Sequence, residues 1–559
     1  MKLIALLGWA GSTAWATPEK SDVVLEALEL ELTRALDELS DEPEPPYFLA
    51  MEVVEYSAIT LGAEEGGLRA SSPSHLRWLD VDLRIGSPEL DSTHYLRSSR
   101  DGDESAGRSL PIDDDLGTLR REVWREVDRR YQTARNRWAK VQGEEQILVE
   151  DEPAPDLSPT PVNDDLQAPA RLELDQDRWE QILRDASAQL ISSPVVIDGS
   201  VTLTAEAETH WFVNSEGTRI RHALHRYRIN GTVNTIATDG DELRLSRSWD
   251  AHSESGLPSR EEVLAGVQEI ESRIRTLRDA PEEPPYSGPV ILGDRATGVF
   301  FHEILGHRVE GHRLKRIDNA QTFRTMLGDD ILPPFLSVYD DPTLDRFLET
   351  DLRGHYLFDN EGVSAQRADI VVDGELVGFL QSRSPVEPGH VSNGHGRRQR
   401  RKSAVTRQGN LIVEASSSVT NEELVEELRE LASKRGLEYG LMVDEIQGGF
   451  TFTTRGIPNA FTVNVLVGRR VYVDGRPDQL VRGIDLIGTP VETFQDILLA
   501  GEAHDVFNGS CGAESGWVPV SAAAPSLLVG TMETQRKTKK QLSPPQLPPP
   551  GSVGQEVLQ

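Results

Sequence analysis

The sequence predicts an α+β protein with more than one domain, and three observations support this. Apolar residues recur at helical spacing in some segments and alternate with polar residues, as in half-buried strands, in others. The segment APEEPPYSGP at 280–289 has the proline-rich, acidic composition of a domain linker. A chain of 559 residues is also too long for one ordinary core.

The part of the chain before this linker is predicted to mix helices and strands. Helices are expected over 21–40, 116–141 and 259–280. Strands are expected over 47–61, 76–85, 195–204, 208–213 and 219–236. The segment 150–169 is acidic and proline-rich, so we expect an exposed loop there. Residues 17–284 are therefore assigned to an N-terminal domain.

The part after the linker is predicted to be a second domain over residues 285–535. A helix is expected over 422–434, and strands with Asp-Gly turns over 370–380 and 460–472. The last residues, 536–559, are basic and then proline-rich, which predicts a disordered tail.

The charge of the chain argues against some classes of partner. It has 58 basic and 92 acidic residues, a formal net charge of -34, and 37% hydrophobic residues. Enough apolar residues are present to form a sizeable core. Such an acidic surface repels phosphate backbones, so we expect no nucleic-acid partner.

The first 16 residues have the layout of a secretory signal peptide. Lys2 precedes an apolar run over 3–10, and Ala14-Trp15-Ala16 follows as a small-x-small cleavage site. The alternative is a buried first strand or helix. No later apolar run reaches the ~20 residues that a membrane span requires. We therefore expect an exported protein, periplasmic or secreted, without a membrane span.

The chain contains a single cysteine, Cys511, which excludes an internal disulfide framework. A lone cysteine is usually a small buried hydrophobic residue. Cys511 lies in Gly509-Ser510-Cys511-Gly512, which we interpret as a glycine-flanked turn that leaves the sulfur free to face a metal ion.

A pair of histidines beside a glutamate follows an apolar run: His302, Glu303 and His307. Neutral imidazole binds zinc, and a neighbouring carboxylate is suited to act as general base. The histidines are five residues apart, roughly 140° around an ideal helix. They converge only if the helix contains a π-bulge or ends near Gly306. Surface or core histidines remain the alternative interpretation.

The C-terminal half resembles the TldD/PmbA family of metallopeptidases, also called modulators of DNA gyrase, and in particular its metal-bearing TldD branch. Besides the segment 298–311, the resemblance is carried by four further motifs in family order. They are Asp359-Asn-Glu-Gly362 running to Gln366-Arg367, Asn393-Gly394 with Arg397-Arg398, Arg482-Gly483 to Gly488, and Cys511-Gly512 with Val518-Pro519-Val520.

The resemblance implies zinc ligands at His302, His307 and Cys511, with Glu303 as the catalytic residue. It implies an N-terminal α/β domain followed by a β-rich C-terminal domain that carries the metal site. It also implies a dimer, either a homodimer or a heterodimer with a metal-free paralogue, that acts on peptides or unfolded proteins. Most of the family is cytoplasmic, so the expected export is a departure.

We therefore expect a zinc-dependent peptidase in which a zinc-activated water attacks and Glu303 is the general base. The alternative is a non-catalytic, zinc-containing assembly or peptide-binding subunit. Glu310 is either a group that orients a histidine or a solvated residue. Arg397 and Arg398 either bind the backbone or a carboxylate of a peptide substrate, or lie in a solvated loop, or form ion pairs within the protein.

Overall fold

The structure is a computed structural model that describes residues 22–96, 107–145, 154–191, 193–315, 323–387, 389–451, 461–538 and 542–543. The predicted signal peptide, 1–16, and most of the predicted tail, 536–559, lie outside these residues. Within the described residues, none of the helices has the length and apolar character needed to cross a membrane.

The N-terminal domain consists of one mostly antiparallel sheet and four helices. The helices are α1 Val23–Leu39, α2 Leu116–Glu145, α3 Gln176–Leu190 and α4 Arg260–Asp279. The strands are β1 Pro46–Glu64, β2 Gly67–Ile85, β3 Gly107–Leu110, β4 Asp164–Leu166, β5 Asp198–Asn214, β6 Arg219–Ile236 and β7 Glu242–Ala251. Their order is β3-β2-β1-β5-β6, with β4 and β7 both paired to β6.

Side chains alternate along β1, so that the two faces of the sheet contact different parts of the protein. Its odd-numbered residues, such as Leu49 and Leu61, pack under the helices in two apolar clusters. Its even-numbered residues, such as Glu52 and Tyr56, point to the opposite face. That face meets the C-terminal domain, so a polar layer lies between the two domains.

The C-terminal domain is rich in strands, as the resemblance implies. Its helices are α5 Asp294–Ile304, α6 Gly311–Lys315, α7 Asn421–Lys434 and α8 Pro490–Gln495. Its strands are β8 Ser287–Leu292, β9 Leu336–Asp340, β10 Arg346–Phe347, β11 Thr350–Asp351, β12 Ala368–Val372, β13 Glu375–Leu376, β14 Gly396–Arg397, β15 Val405–Thr406, β16 Asn410–Ala415, β17 Tyr439–Thr451, β18 Phe461–Tyr472, β19 Gln479–Val481, β20 Ile484–Gly488, β21 Ile497–Ala513 and β22 Gly516–Arg536.

Five of these strands form a closed ring. β22 pairs with β20, β20 with β18, β18 with β17, and β17 with β8, which pairs back to β22. The helix α5 packs against β22, β17 and β21. Five of its eleven residues lie in the largest apolar cluster among the described residues, and eight of the eleven are buried. A helix buried on nearly all sides is therefore held by the sheet rather than by its own propensity.

Several predicted elements differ from the observed ones. The two strands predicted over 195–204 and 208–213 are one strand, β5. Residues 370–380 do contain the predicted Asp-Gly turn, which joins β12 and β13 in a hairpin; Asp373 and Gly374 both have positive φ, as a type I′ turn requires. The predicted loop 150–169 contains the short strand β4. The predicted tail starts one residue too early, since Arg536 ends β22.

Candidate metal centre

The first predicted ligand, His302, lies in the last turn of α5. The backbone of this helix comes close to β22, because an added Cβ at Gly298 would lie 3.0 Å from the Ala522 carbonyl oxygen. Phe300 and Phe301 fill the surrounding core, so the orientation of the helix is set by packing on both sides. His302 is itself buried.

The end of α5 brings the second histidine towards the first. The helix ends at Ile304, and a 3₁₀ turn over Gly306–Arg308 carries His307. Of the two geometries compatible with a five-residue spacing, the structure therefore has the helix end and not the π-bulge. The two imidazole centroids lie 5.1 Å apart at 74°.

Gly306 is required at this turn for steric reasons. A Cβ there would lie 1.9 Å from Oε1 of Gln408. The Gln408 amide is buried and donates a hydrogen bond to the His302 carbonyl oxygen at 3.2 Å. The amide therefore satisfies a backbone acceptor that the helix end leaves open.

Cys511 lies within β21, where it pairs with Val518 of β22. The interpretation of residues 509–512 as a turn is thus wrong, and the turn follows at Glu514 and Ser515. The polar and glycine-rich sequence suggested a turn, but pairing with β22 satisfies its backbone groups and overrides that local preference.

The structure brings the three predicted ligands together. The ligand atoms of His302, His307 and Cys511 all lie within 4.8 Å of one another, and all three residues are buried. Nε2 of His307 is 3.3 Å from the Cys511 sulfur. The thiol comes from a strand about two hundred residues further along the chain than the histidines, so the tertiary fold alone creates this cluster.

The electrostatics of the cluster favour a thiolate. Burial raises the pKa of the Cys511 thiol, but the imidazoles of His307 and His302 outweigh it and hold that pKa well below its ordinary value. Burial lowers the pKa of His307, but Cys511 and Glu310 raise it to about 10. The thiolate form is the one that binds metals.

A buried carboxylate orients His307 from the side away from the sulfur. Oε2 of Glu310 lies 3.2 Å from Nδ1 of His307 and accepts a hydrogen bond from Nε of Arg313 at 2.7 Å. Arg407 Nε lies 3.5 Å from the other carboxylate oxygen. Burial raises the pKa of Glu310, but His307 and Arg313 hold it well below its ordinary value. The arrangement is that of a carboxylate–histidine–metal triad.

Glu303 lies beside the ligands but does not join the cluster. Its carboxylate is partly exposed and lies 4.0 Å from Nε2 of His307, the nitrogen that faces Cys511. A carboxylate beside the donor atoms, and open to solvent, is in reach of a water or substrate at the centre.

Two observations show that these residues fit zinc. Two imidazoles and one thiolate are donors that zinc prefers, and three protein ligands leave one position open. In addition, Nδ1 of His302 is buried and has no hydrogen-bond partner among the described residues. An unsatisfied buried nitrogen costs about 1–3 kcal/mol, so a bound group would relieve an existing penalty.

Arg397 and Arg398 do not lie in the metal centre. Arg398 binds Glu52 at 2.5 Å and Asp80 at 3.1 Å, both in the N-terminal domain. Arg397 is buried, and its guanidinium lies over the Tyr356 ring. Of the alternatives considered for these arginines, the internal ion pair is the one observed for Arg398.

Sequence reasoning missed the residues that hold the ligands in place. Arg407 donates to the Cys511 carbonyl oxygen at 2.7 Å and to Ser515 Oγ at 3.0 Å. Glu514, just past Cys511, binds Arg313 at 2.9 Å. Only the spacing of two residues between Cys511 and Glu514 offered a sequence signal for any of these contacts.

The fold and the site define a two-domain α+β protein with a buried His-His-Cys centre and an adjacent carboxylate. Residues 285–536 match the sequence model of the PmbA/TldA metallopeptidase C-terminal domain. The C-terminal part of the chain, 285–536, therefore carries the C-terminal domain of the PmbA/TldD family.

Relatives with assigned names agree with this placement. A protein named metalloprotease from Methanothermobacter thermautotrophicus is 27% identical over 60% of this chain and 69% of its own length. Another metalloprotease, from Archaeoglobus fulgidus, is 29% identical over 48% of this chain and 58% of its own length. A zinc metalloprotease TldD homolog from Saccharolobus solfataricus is 24% identical over 48% of this chain and 55% of its own length.

Solved structures share the fold across both domains. A putative modulator of a DNA gyrase from Thermotoga maritima has a TM-score of 0.60 at 14% identity, covering 91% of this chain and 100% of the other. TldE from Thermococcus kodakarensis has a TM-score of 0.57 at 14% identity, covering 91% and 99%. Both domains of the chain, and not only residues 285–536, therefore share the fold of these proteins.

Proposed function

We propose that the protein is a zinc-dependent peptidase that hydrolyses peptides or unfolded proteins at the His302, His307 and Cys511 centre. The observation that carries the proposal is the position of Glu303. Its partly exposed carboxylate lies 4.0 Å from His307 Nε2, beside a buried cluster of three zinc-type donors. A purely structural site has no need of this carboxylate.

In this proposal each side chain has a separate task. His302, His307 and Cys511 bind the ion, while Glu310 holds the His307 ring through Nδ1. Zinc held by such donors is a Lewis acid that polarises a carbonyl oxygen and makes a coordinated water more acidic. Glu303 takes a proton from the attacking water and delivers it to the leaving amine.

The test compares zinc content and hydrolysis of a quenched fluorescent peptide library in four full-length proteins. Wild type should hold about one zinc per chain and cleave peptides. Glu303→Gln should keep zinc and lose activity by about 10²–10⁴-fold. Cys511→Ser should bind zinc poorly. Glu38→Gln, the same change at an exposed position of α1, is the matched control and should behave as wild type.

Two results would contradict the proposal in different ways. If the wild type holds zinc but cleaves no peptide that Glu303→Gln leaves intact, the result would favour the non-catalytic assembly or peptide-binding subunit. A wild type that takes up no zinc even when zinc is in excess would refute the metal centre itself.

We also propose that the protein acts as a dimer, either with itself or with a metal-free paralogue, and that it is exported to the periplasm or beyond. The resemblance to the TldD/PmbA family, which implies a dimer, supports a paired assembly. The signal-like layout of residues 1–16 supports export. Light scattering of the purified protein, and mass spectrometry of its mature N-terminus, test the two proposals separately.

A further inference from the structure

A small polar cavity lies between the two domains, beside the hairpin that carries Cys511. Its volume is about 230 Å³, and Ser510 and Val518 of β21 and β22 form part of its wall. The exposed Trp517 stands at its edge. At about 30 Å³ per water, the cavity has room for roughly seven waters, or for an organic group of that size.

Arg397 is a buried cation in the wall of this cavity without a carboxylate partner. Its Nη1 donates to the Gln408 carbonyl oxygen, and its guanidinium lies 4.6 Å from the centre of the Tyr356 ring. Among the described residues, no carboxylate forms an ion pair with it. Burial, helped by Arg226 and Arg407, lowers the pKa of Arg397 to about 10, while Tyr356 opposes this.

The acidic side chains of the cavity are engaged by groups other than Arg397. Glu206 accepts a hydrogen bond from the Tyr56 hydroxyl at 2.8 Å, and Asp359 accepts from the backbone amides of Glu361, Val363 and Gly396. Glu52 and Asp80 bind Arg398, at 2.5 and 3.1 Å. Glu208 accepts a hydrogen bond from Arg226 at 2.9 Å. The acids of the cavity are therefore engaged elsewhere, and the positive charge of Arg397 is left over.

A second side chain in the cavity wall also lacks a partner. Nδ1 of His222 is buried and makes no hydrogen bond with any described residue. The ring stacks on His210 at 4.8 Å. Burial and the neighbouring His210 lower the pKa of His222 to about 3, so its imidazole is neutral at pH 7 and has one donor and one acceptor nitrogen.

We propose that this cavity binds a carboxylate group of a peptide ligand, with Arg397 as the counter-ion and His222 as a hydrogen-bond partner. One unpaired guanidinium matches one negative charge, and its planar donors match a carboxylate. The paired acids around it would repel a doubly charged phosphate. The carboxylate is supplied either by the peptide C-terminus or by an aspartate or glutamate side chain.

The inference deepens the proposed function and rests on it for the identity of the ligand. Ser510 in the cavity wall precedes Cys511 in the chain. Gln408, which accepts from Arg397, donates through its amide to the His302 carbonyl oxygen. The wall of the cavity is therefore built partly from residues next to those that hold the metal centre, and a peptide is the ligand that the proposed function supplies.

The test is calorimetric binding to full-length Glu303→Gln protein, which binds peptides without cleaving them. The probes are trialanine, trialanine amide, and N-acetyl-Ala-Glu-Ala amide. Arg397→Gln should weaken binding of the probe whose carboxylate enters the cavity, either trialanine or the Glu peptide, by roughly ten- to a hundredfold. It should leave the binding of trialanine amide unaffected. Arg401→Gln, which removes an exposed charge of the same run, is the matched control and should change nothing.

The two peptide arms identify the source of the carboxylate, since a loss confined to trialanine indicates the C-terminus and a loss confined to the Glu probe indicates a side chain. The proposal is overturned if Arg397→Gln binds both as tightly as its parent, or if neither probe binds the parent at millimolar concentration. It is also overturned if His302→Ala abolishes binding and Arg397→Gln leaves the affinity unchanged, because the carboxylate would then bind the metal.

Folding and function are separated by two further readouts. Arg397→Gln breaks no ion pair among the described residues, so its melting temperature should fall only by what the Gln408 hydrogen bond and the Tyr356 contact contribute. If it does not fold, Arg397→Lys keeps the charge without the planar donors and should weaken binding by about tenfold; unchanged affinity overturns the proposal. If peptide binding depends on Arg397 but the wild type cleaves no peptide, the proposed peptidase activity is refuted while the proposed carboxylate site remains supported.

Discussion

Replacing Glu310 with glutamine tests how the metal centre is held together. The carboxylate is fully buried, and its Oε2 contacts His307 Nδ1 at 3.2 Å and Arg313 Nε at 2.7 Å. Arg407 Nε lies 3.5 Å from Oε1. The amide has nearly the same shape but removes the one negative charge that these three groups share.

Both the stability and the zinc affinity should fall. Breaking a buried ion pair by neutralising one partner costs about 3–5 kcal/mol, because the other charges remain buried. Loss of a carboxylate that orients a metal-ligating histidine typically lowers metal affinity by about 10–100-fold. We expect Glu310→Gln to show both changes, in the free energy of unfolding and in the zinc dissociation constant.

The measurement is a zinc competition titration against a chromogenic chelator, together with urea unfolding of the metal-free protein. Glu514→Gln is the matched control, because Glu514 also binds Arg313 but is partly exposed and does not contact His307. If Glu310→Gln binds zinc as tightly as Glu514→Gln and unfolds at the same urea concentration, the assigned orienting role of Glu310 is wrong.

Two other predictions concern the turn and the layer between the domains. Gly306→Ala should displace Gln408 and lower the zinc content. The control is Gly143→Ala, whose Cβ would meet nothing within 4 Å and which should be neutral or stabilising by about 0.5–1 kcal/mol. Equal zinc content and equal melting temperature in the two variants would contradict this prediction. Burial lowers the pKa of His210, but its paired glutamates raise it from 6.5 to about 9. The protonated imidazole therefore stabilises the folded protein by up to about 3 kcal/mol. This contribution is complete below pH 6.5 and is lost as pH rises through about 9. In urea unfolding between pH 6.5 and 9, His210→Gln should lack this decline in the free energy of unfolding, and an unchanged slope would exclude His210 as its source.

The core of the metal centre could be predicted from sequence because its signals are local or unique. His302 and His307 share one short motif with Glu303, and Cys511 is the single thiol in the chain. The five-residue spacing even limited the backbone to two geometries, one of which, the helix end, is observed. Chemistry thus restricted the candidates before any fold was known.

The supporting residues could not be predicted, because their roles depend on tertiary contacts. Arg407 is an ordinary basic residue in the sequence, and only folding places it against the Cys511 carbonyl and Glu310. Gln408 is important because the end of α5 leaves the His302 carbonyl without a partner. Neither role produces a periodic or compositional pattern along the chain.

The acidic excess of the chain is used in part to join the two domains. Arg383 of the C-terminal domain binds Glu216 of the N-terminal domain at 2.7 Å, and Arg482 binds Asp241 at 3.2 Å. Both arginines are buried, so each would be an uncompensated charge without the N-terminal carboxylate. The N-terminal domain therefore supplies the carboxylates that neutralise these two buried arginines of the C-terminal domain. Arg397 departs from this pattern, since no carboxylate among the described residues forms an ion pair with it, which is consistent with the carboxylate ligand that we propose.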